Sequence, residues 1–134
     1  MKANRKSVAM RAGFGLVALL LVTPPAMSHH SWTSEYDGAK PVAMTGVVTR
    51  IEWTNPHVHV YVDSTDEDES VTSWNFEMAS VLSLERGGWS RRTLEAGDEV
   101  AIEGFGGRAV TERAIASSIT TSEGRSLFVG DPTN

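Results

Sequence analysis

The stretch VAMTGVVTRIEWTNPHVHVYVD (residues 42–63) decides the fold, because it holds two strand patterns joined by a turn. In its second half the residues alternate strictly: three valines lie on one face, and His57, His59 and Tyr61 lie on the other. Alternation with a period of two is typical of a strand with one face in the core and one in solvent. The pattern therefore predicts a half-buried strand over residues 57–63.

The first half of this stretch, residues 42–53, is rich in β-branched residues and predicts a preceding strand. Its apolar phase shifts after Val48, and a phase shift within one strand pattern predicts a β-bulge or a bend. Gly46 lies near this point and would permit close approach of a neighbouring backbone. The Asn55-Pro56 pair predicts a turn, because the residue before a proline is disfavoured in the helical region.

Further elements are predicted beyond this stretch. They are, in chain order, a solvated acidic hairpin tip (63–70), a third strand (71–78), a short helix (79–86), a turn leading into a strand (93–107) and a final hairpin (113–129). The GFGG run at residues 104–107 lacks the spacing of a dinucleotide-binding motif, and we expect it to form a loop. This order of elements predicts a mainly β fold, a small OB-like five-stranded barrel with one short helix. An open β-sandwich or meander with one helix is the alternative.

The chain begins with the pattern of a secretory signal. Basic residues precede an apolar run of 11 residues (12–22), which is shorter than the roughly twenty residues that span a bilayer. Ala26 and Ser28 supply the small residues needed at a cleavage site, so we expect a signal peptide over residues 1–28 and one domain over 29–134. Cleavage after Ala26 is the main alternative. Without a twin-arginine pair, we expect the general secretion route and a periplasmic or secreted product with no membrane anchor.

The composition of the mature chain excludes several classes of protein. Processing removes four of the 12 basic residues and none of the 17 acidic ones, which leaves eight basic residues and a charge of −9. Such an acidic surface argues against nucleic-acid and anionic-lipid partners. The absence of cysteine excludes thiolate metal sites, iron–sulfur clusters and covalently attached haem. Any metal must therefore be held by nitrogen and oxygen.

The four histidines fall into two tight pairs, His29-His30 at the expected terminus and His57-x-His59 on the predicted strand. Residues two apart in a strand share a face at about 7 Å, so the strand pair can point at one ion. A terminal histidine offers its amine and its ring Nδ1 in one chelate, and a second imidazole completes the three-nitrogen plane called a histidine brace. Nitrogen ligands without thiolate suit Cu(II) best, with Zn(II) or Ni(II) next. We predict His29, His57 and His59 as candidate ligands, with His30 as a spare or outer ligand.

Residues around the strand pair are candidates for a supporting role. Trp53 and Asn55 precede His57, and Tyr61 continues the histidine face. Core packing accounts for Trp53, and turn formation accounts for Asn55. In a functional site these two residues would fix His57 and supply an outer hydrogen bond.

Six motifs are spread over the mature chain: HHSW (29–32), YD (36–37), EWTNPHV (52–58), WNFEM (74–78), GW (88–89) and LEAGDEVAIEG (94–104). In this combination the chain resembles a family of small exported bacterial proteins of unknown function. That family has His-His-Ser after the signal peptide and a Trp-x-Asn-Pro-His motif. The resemblance implies cleavage directly before His29, and it implies no activity.

Three functional hypotheses follow from these observations. In the first, an exported periplasmic binding protein holds one copper ion through His29 with His57 or His59, for carriage or sequestration of the metal. The second is a metal-free module that binds a small ligand or a periplasmic protein partner through an aromatic and polar face with Trp53, Tyr61 and Trp74. The third is a copper-dependent oxidase or oxygenase on the same histidines, for which the sequence indicates no substrate.

Overall fold

The computed structural model of the protein describes residues 32–130, which form six strands and two short helices. In chain order the elements are α1 (Trp32–Glu35), β1 (Tyr36–Glu52), β2 (His59–Thr65), β3 (Val71–Glu77), α2 (Val81–Arg86), β4 (Glu99–Gly107), β5 (Arg113–Thr121) and β6 (Ser126–Leu127). No helix among these residues is both long and apolar enough to cross a membrane. The predicted signal peptide, together with His29 and His30, lies outside the described residues.

Five strands close into a barrel. They follow the order β3-β2-β1-β4-β5 with antiparallel neighbours, and a parallel pairing between β3 and β5 completes the ring. Helix α2 connects β3 to β4, and the short strand β6 pairs with the far end of β5. This is the strand order of an OB-like barrel, so the fold class predicted from the order of the elements is confirmed.

Strand β1 is long and bends, and it pairs with two different strands of the barrel. Its first part pairs with β4 and its second part pairs with β2. The register against β2 shifts between Val48 and Arg50, which leaves Thr49 as an extra residue on β1. The predicted bulge after Val48 is therefore confirmed. A Cβ at Gly46 would lie 2.5 Å from the carbonyl oxygen of Asp63, so the predicted close approach at this glycine is also present.

The inward face of the barrel is built from the alternating apolar residues. Val58, Val60 and Val62 are fully buried, as the alternation predicts. Helix α2 covers this core with the buried side chain of Leu84. It begins after Ser80, whose hydroxyl oxygen accepts a hydrogen bond from the amide of Ser83, so the helix has a side-chain cap at its start.

The GFGG run is not the loop that its composition suggests. Residues 104–107 belong to β4 and pair with β5 and with the start of β1. A Cβ at Gly104 would lie 2.0 Å from the carbonyl oxygen of Ile115 on β5. Glycine is needed there because the β5 backbone passes too close for any side chain.

The close approach at Gly104 predicts a sharp difference between two neighbouring glycines. We expect Gly104→Ala to lower the free energy of unfolding by about 1–3 kcal/mol, because the added methyl group forces β4 and β5 apart. At Gly106, on the same strand, the nearest atom to an added Cβ would be 3.5 Å away, so Gly106→Ala is the matched control. Urea unfolding of both variants tests this, and equal stability of the two would contradict it.

Candidate functional site

The outward side of β1, β2 and β3 carries a connected set of polar side chains, which we call the polar face. The strand register places most of its members opposite one another, because paired residues project to the same side of a sheet. His57 lies two residues before the start of β2 and joins the set through Glu77. The polar face consists of Arg50, Glu52, His57, His59, Tyr61, Asn75 and Glu77.

The ring of His59 is oriented by Asn75 on the neighbouring strand. Nδ1 of His59 lies 2.9 Å from Oδ1 of Asn75. An amide oxygen can only accept a hydrogen bond, so Nδ1 carries the proton and donates it. The amide nitrogen of Asn75 donates to the hydroxyl oxygen of Tyr61 at 3.5 Å, which is consistent with this orientation of the amide. Nε2 of His59 therefore keeps its lone pair when the ring is neutral.

The ring of His57 is held in the same way by a carboxylate. Nδ1 of His57 contacts Oε1 of Glu77, and the His57 side chain is 44% exposed. Nδ1 is again the ring nitrogen that contacts the acceptor, so this contact does not involve Nε2. Histidines that ligate metals usually donate their other ring N–H to a carboxylate or a carbonyl group, and this second bond fixes the ring and its tautomer. Both strand histidines have this arrangement.

Glu77 is the one charged residue buried among the described residues, with 7% of its surface exposed. Its second oxygen, Oε2, accepts a hydrogen bond from the Tyr36 hydroxyl at 2.5 Å and one from Nη2 of Arg113 at 2.7 Å. The same Nη2 lies 3.0 Å from Oε2 of Glu35, so one guanidinium group joins two carboxylates. Glu77 thereby has a donor on each oxygen.

These contacts shift the pKa values of the buried groups in opposite directions. Burial by itself raises the pKa of Glu77, but the hydrogen bonds from Tyr36 and Arg113 and the charges of His57 and Arg113 outweigh it, so the net pKa is lowered. Burial and the bond to Glu77 raise the pKa of Tyr36. Glu77 is therefore the ionised partner and Tyr36 the neutral donor at neutral pH.

Tyr61 connects the residues of the polar face on β1 with Asn75 on β3. Its hydroxyl donates to Oε2 of Glu52 at 3.0 Å, and the guanidinium group of Arg50 lies 3.9 Å from the centre of its ring. Burial and the hydrogen bond to Glu52 raise the pKa of Tyr61. The phenol is neutral at physiological pH and supplies a hydroxyl group beside the histidines.

The structure separates the three aromatic residues that the second hypothesis groups together. Tyr61 faces outward, whereas Trp74 pairs with buried Val62 and packs against the core. Trp53 also packs inward, with its ring 6.2 Å from that of Trp89. A common aromatic face therefore does not form.

Asn55 does not hydrogen-bond the histidines it is predicted to support. It lies in the turn between β1 and β2, as the Asn-Pro pair predicts, and its side chain is exposed. It makes no hydrogen bond within the part of the chain that the structure describes. The outer acceptors of the two histidines are Glu77 and Asn75 instead.

Several residues of this network are absent from the site that sequence reasoning predicts, among them Tyr36, Asn75, Glu77 and Arg113. Asn75 and Glu77 carry a usable signal, because they are the polar positions that alternate with Trp74 and Phe76 on the third strand. They therefore belong to the outward face, on which β2 also places His59. The predicted strand over 57–63 begins two residues later than expected, so His57 lies in the turn before β2. Tyr36 and Arg113 carry no such signal, since they reach Glu77 only through the closure of the barrel.

The residues from 32 to 130 contain no group of three or more histidine, aspartate or glutamate side chains arranged to hold a metal ion. His57 and His59 are the only histidines in that range. Two imidazoles are fewer nitrogen ligands than a Cu(II) ion takes in a three-nitrogen plane. A metal site on the polar face would need donors from outside the described residues.

The family of unknown function DUF6152 matches residues 17–115, which is most of the chain. The chain belongs to this family. The expected likeness to a family of unknown function is confirmed, while export and the site of cleavage stay predictions. The matched residues include all four histidines together with Glu77 and Arg113. No curated protein and no solved structure matches the chain.

The burial of Glu77 predicts how the stability of the metal-free protein depends on pH. Because the folded pKa of Glu77 is lowered, its ionised form stabilises the fold fully above the ordinary value of 4.5, and this contribution is lost as the pH falls through the folded pKa. We expect Glu77→Gln to lower the free energy of unfolding at pH 7 by about 3 kcal/mol, since Arg113 loses its buried partner.

Urea unfolding of the metal-free protein between pH 7 and pH 3 tests this expectation. The difference between wild type and Glu77→Gln should begin to shrink as the pH falls below 4.5, because protonation of the carboxylate then favours the unfolded chain. Glu67→Gln removes an exposed carboxylate of the acidic hairpin tip and is the matched control, with an expected change within about 0.5 kcal/mol. A constant difference across this pH range would contradict the assignment.

Proposed function

We propose that this protein is an exported periplasmic binding protein that holds one Cu(II) ion through His29 together with His57 or His59. Its role would be carriage or sequestration of the metal. The observation that carries the proposal is the state of the two strand histidines. Each has its Nδ1 bonded to an oxygen acceptor, which leaves Nε2 as the nitrogen available to a metal.

The location of the first described residues also supports the proposal. Tyr36 donates to the same carboxylate that contacts His57, so the chain passes beside the polar face soon after the predicted terminus. His29 lies three residues before Trp32, the first described residue, and three residues span at most about 11 Å. The proposal requires that this short stretch brings the terminal histidine to a strand histidine.

The chemistry of the available donors favours copper. His29 as the first residue would supply an amine and an imidazole, and a strand histidine would supply a further imidazole. With no cysteine in the chain, this set contains only nitrogen, which suits Cu(II) ahead of Zn(II) or Ni(II). The oriented rings lower the entropic cost of binding, because the two strand imidazoles are held before the ion arrives.

Calorimetry on the processed protein tests the proposal. We expect one Cu(II) to bind to a chain that begins at His29, and to bind at least tenfold more weakly when three alanines are added ahead of His29. The three residues remove the amine and ring chelate, and they leave no histidine at position three, where amine, amide and imidazole nitrogens would form a different Cu(II) chelate. Mass spectrometry of the exported protein, which identifies its first residue, is the necessary control. Equal affinities of the two forms would contradict the proposal.

Single substitutions identify which strand histidine is the ligand. His57→Ala and His59→Ala should each leave the barrel folded, because both side chains lie on the outward face. The substitution that removes the ligand should weaken Cu(II) binding by about tenfold or more, and the other should weaken it less. Unchanged affinity in the double variant would show that the polar face takes no part in binding.

A further inference from the structure

Helix α2 and the segment after β6 form an open groove on the surface of the barrel. The groove has a volume of about 380 Å³, and its lining includes Leu82, Arg86, Gly87 and Phe128. Leu82 is 54% exposed and Phe128 is 46% exposed, so two large apolar side chains meet solvent in one groove. Exposed apolar side chains that lie together are typical of a surface that contacts another molecule.

The Phe128 ring is held at this surface and does not enter the core. Gly87 leaves room for it, because a Cβ at that position would lie 2.2 Å from Cδ1 of the ring. The backbone of Phe128 is fixed as well, since its carbonyl oxygen accepts a hydrogen bond from the indole of Trp89. The apolar part of the groove therefore has its position before a partner arrives, which lowers the entropic cost of binding.

Four arginines lie in the groove or on the segments next to it. Arg86 lines the groove itself, and two more arginines follow the buried Trp89 in the chain. The guanidinium group of Arg125 donates to the carbonyl oxygen of Thr93, so the turn before β6 lies against the same segment. With Leu82 and Phe128 these four residues form what we call the arginine patch: Arg86, Arg91, Arg92 and Arg125.

None of the four arginines forms an ion pair with a carboxylate within residues 32–130, although all four are exposed. Three other arginines of that range, Arg50, Arg108 and Arg113, each have such a partner. The patch thus holds four of the eight basic residues of the described chain, and it leaves their charge uncompensated. Concentrated positive charge of this kind favours a negatively charged partner surface.

The chain itself contains a segment with the complementary chemistry, the acidic hairpin tip between β2 and β3. Hydrogen bonds from the Ser70 hydroxyl to two carboxylates hold the tip in shape. Val71, directly after the tip, is 61% exposed and supplies an apolar side chain. At the turn lie four exposed carboxylates that form no ion pair among the described residues: Asp66, Glu67, Asp68 and Glu69.

The tip and the patch of one molecule do not neutralise each other. The tip precedes β3 and helix α2 follows it, and the two ends of this seven-residue strand lie about 20 Å apart. No ion pair joins the two surfaces in the part of the chain that the structure describes. Both surfaces are therefore available to a second molecule.

We propose that the acidic hairpin tip of one copy of this protein docks on the arginine patch of a second copy, with Val71 against Leu82 and Phe128 in the groove. The histidines and the metal take no part in this contact. At physiological ionic strength, charges more than about 8 Å apart are largely screened. The repulsion between two acidic chains is therefore weak except where their surfaces touch, and there the opposed charges attract.

Sedimentation equilibrium of the metal-free processed protein tests the proposal. We expect reversible association at protein concentrations of about 0.1 mM, because a contact of this size belongs to the small, transient class of interfaces. A chelator in the buffer keeps the result independent of copper, so it is separate from the test of the proposed function.

Two charge-reversal variants each remove one side of the contact. The patch variant carries Arg86→Glu and Arg91→Glu, and the tip variant carries Glu67→Lys and Glu69→Lys. Each variant alone should associate about tenfold more weakly than wild type or worse, because the attraction between the two surfaces is lost. Lys40→Glu reverses an exposed charge on β1, outside both surfaces, and should leave the association unchanged.

An equal mixture of the two variants is the decisive measurement. The patch variant keeps an intact tip and the tip variant keeps an intact patch, so one native contact can form between them. We expect a one-to-one pair and no larger species, because the other two surfaces are disabled. Mixing would not repair a general loss of stability in either variant.

A wild type that sediments as a monomer would overturn the proposal. A mixture that stays monomeric while the wild type associates would also overturn it, since the contact would then use other surfaces. Stronger association of the tip variant, which is the less acidic, would show that net charge alone controls association and would count against the contact. Binding of a monomeric wild type to vesicles of anionic lipid, lost in the patch variant, would assign the patch to a membrane surface and not to a second copy.

Discussion

The buried carboxylate of Glu77 is the constraint on which both the closed barrel and the candidate site depend. It lies at the end of β3, where that strand pairs with β5, and it takes donors from Tyr36, His57 and Arg113. An ionised carboxylate left without any partner in the protein interior costs several kcal/mol, so these donors together stabilise the closed barrel. One residue thereby ties together the start of β1, the turn before β2 and the start of β5.

The same bond network gives the polar face its chemical character. Glu77 bonds Nδ1 of His57, and Asn75 bonds Nδ1 of His59. Nε2 of each ring is not used by these two acceptors. The network fixes both imidazole rings, although the described residues alone do not complete a metal site.

Much of the fold could be predicted because its signals are local. The alternation over residues 57–63, the bulge after Val48 and the helix before Gly87 each depend on residues that are neighbours in the sequence. The GFGG run was misjudged for the opposite reason: its glycines are required by the backbone of β5, which lies close only in the folded barrel. Trp74 was misplaced for a similar reason. It is aromatic like Tyr61, but the two side chains lie on opposite faces of the sheet.

The sequence by itself determined the order of the strands, the bend in β1 and the outward placement of His57, His59 and Tyr61, because a period of two is set by the geometry of a single strand. Only the tertiary structure decided which atoms meet those side chains. Tyr36 and Arg113 reach Glu77 from 41 and 36 residues away, and they do so because the parallel pairing of β3 with β5 closes the ring. The positions of the histidines are thus local properties of a strand, whereas their partners are properties of the barrel.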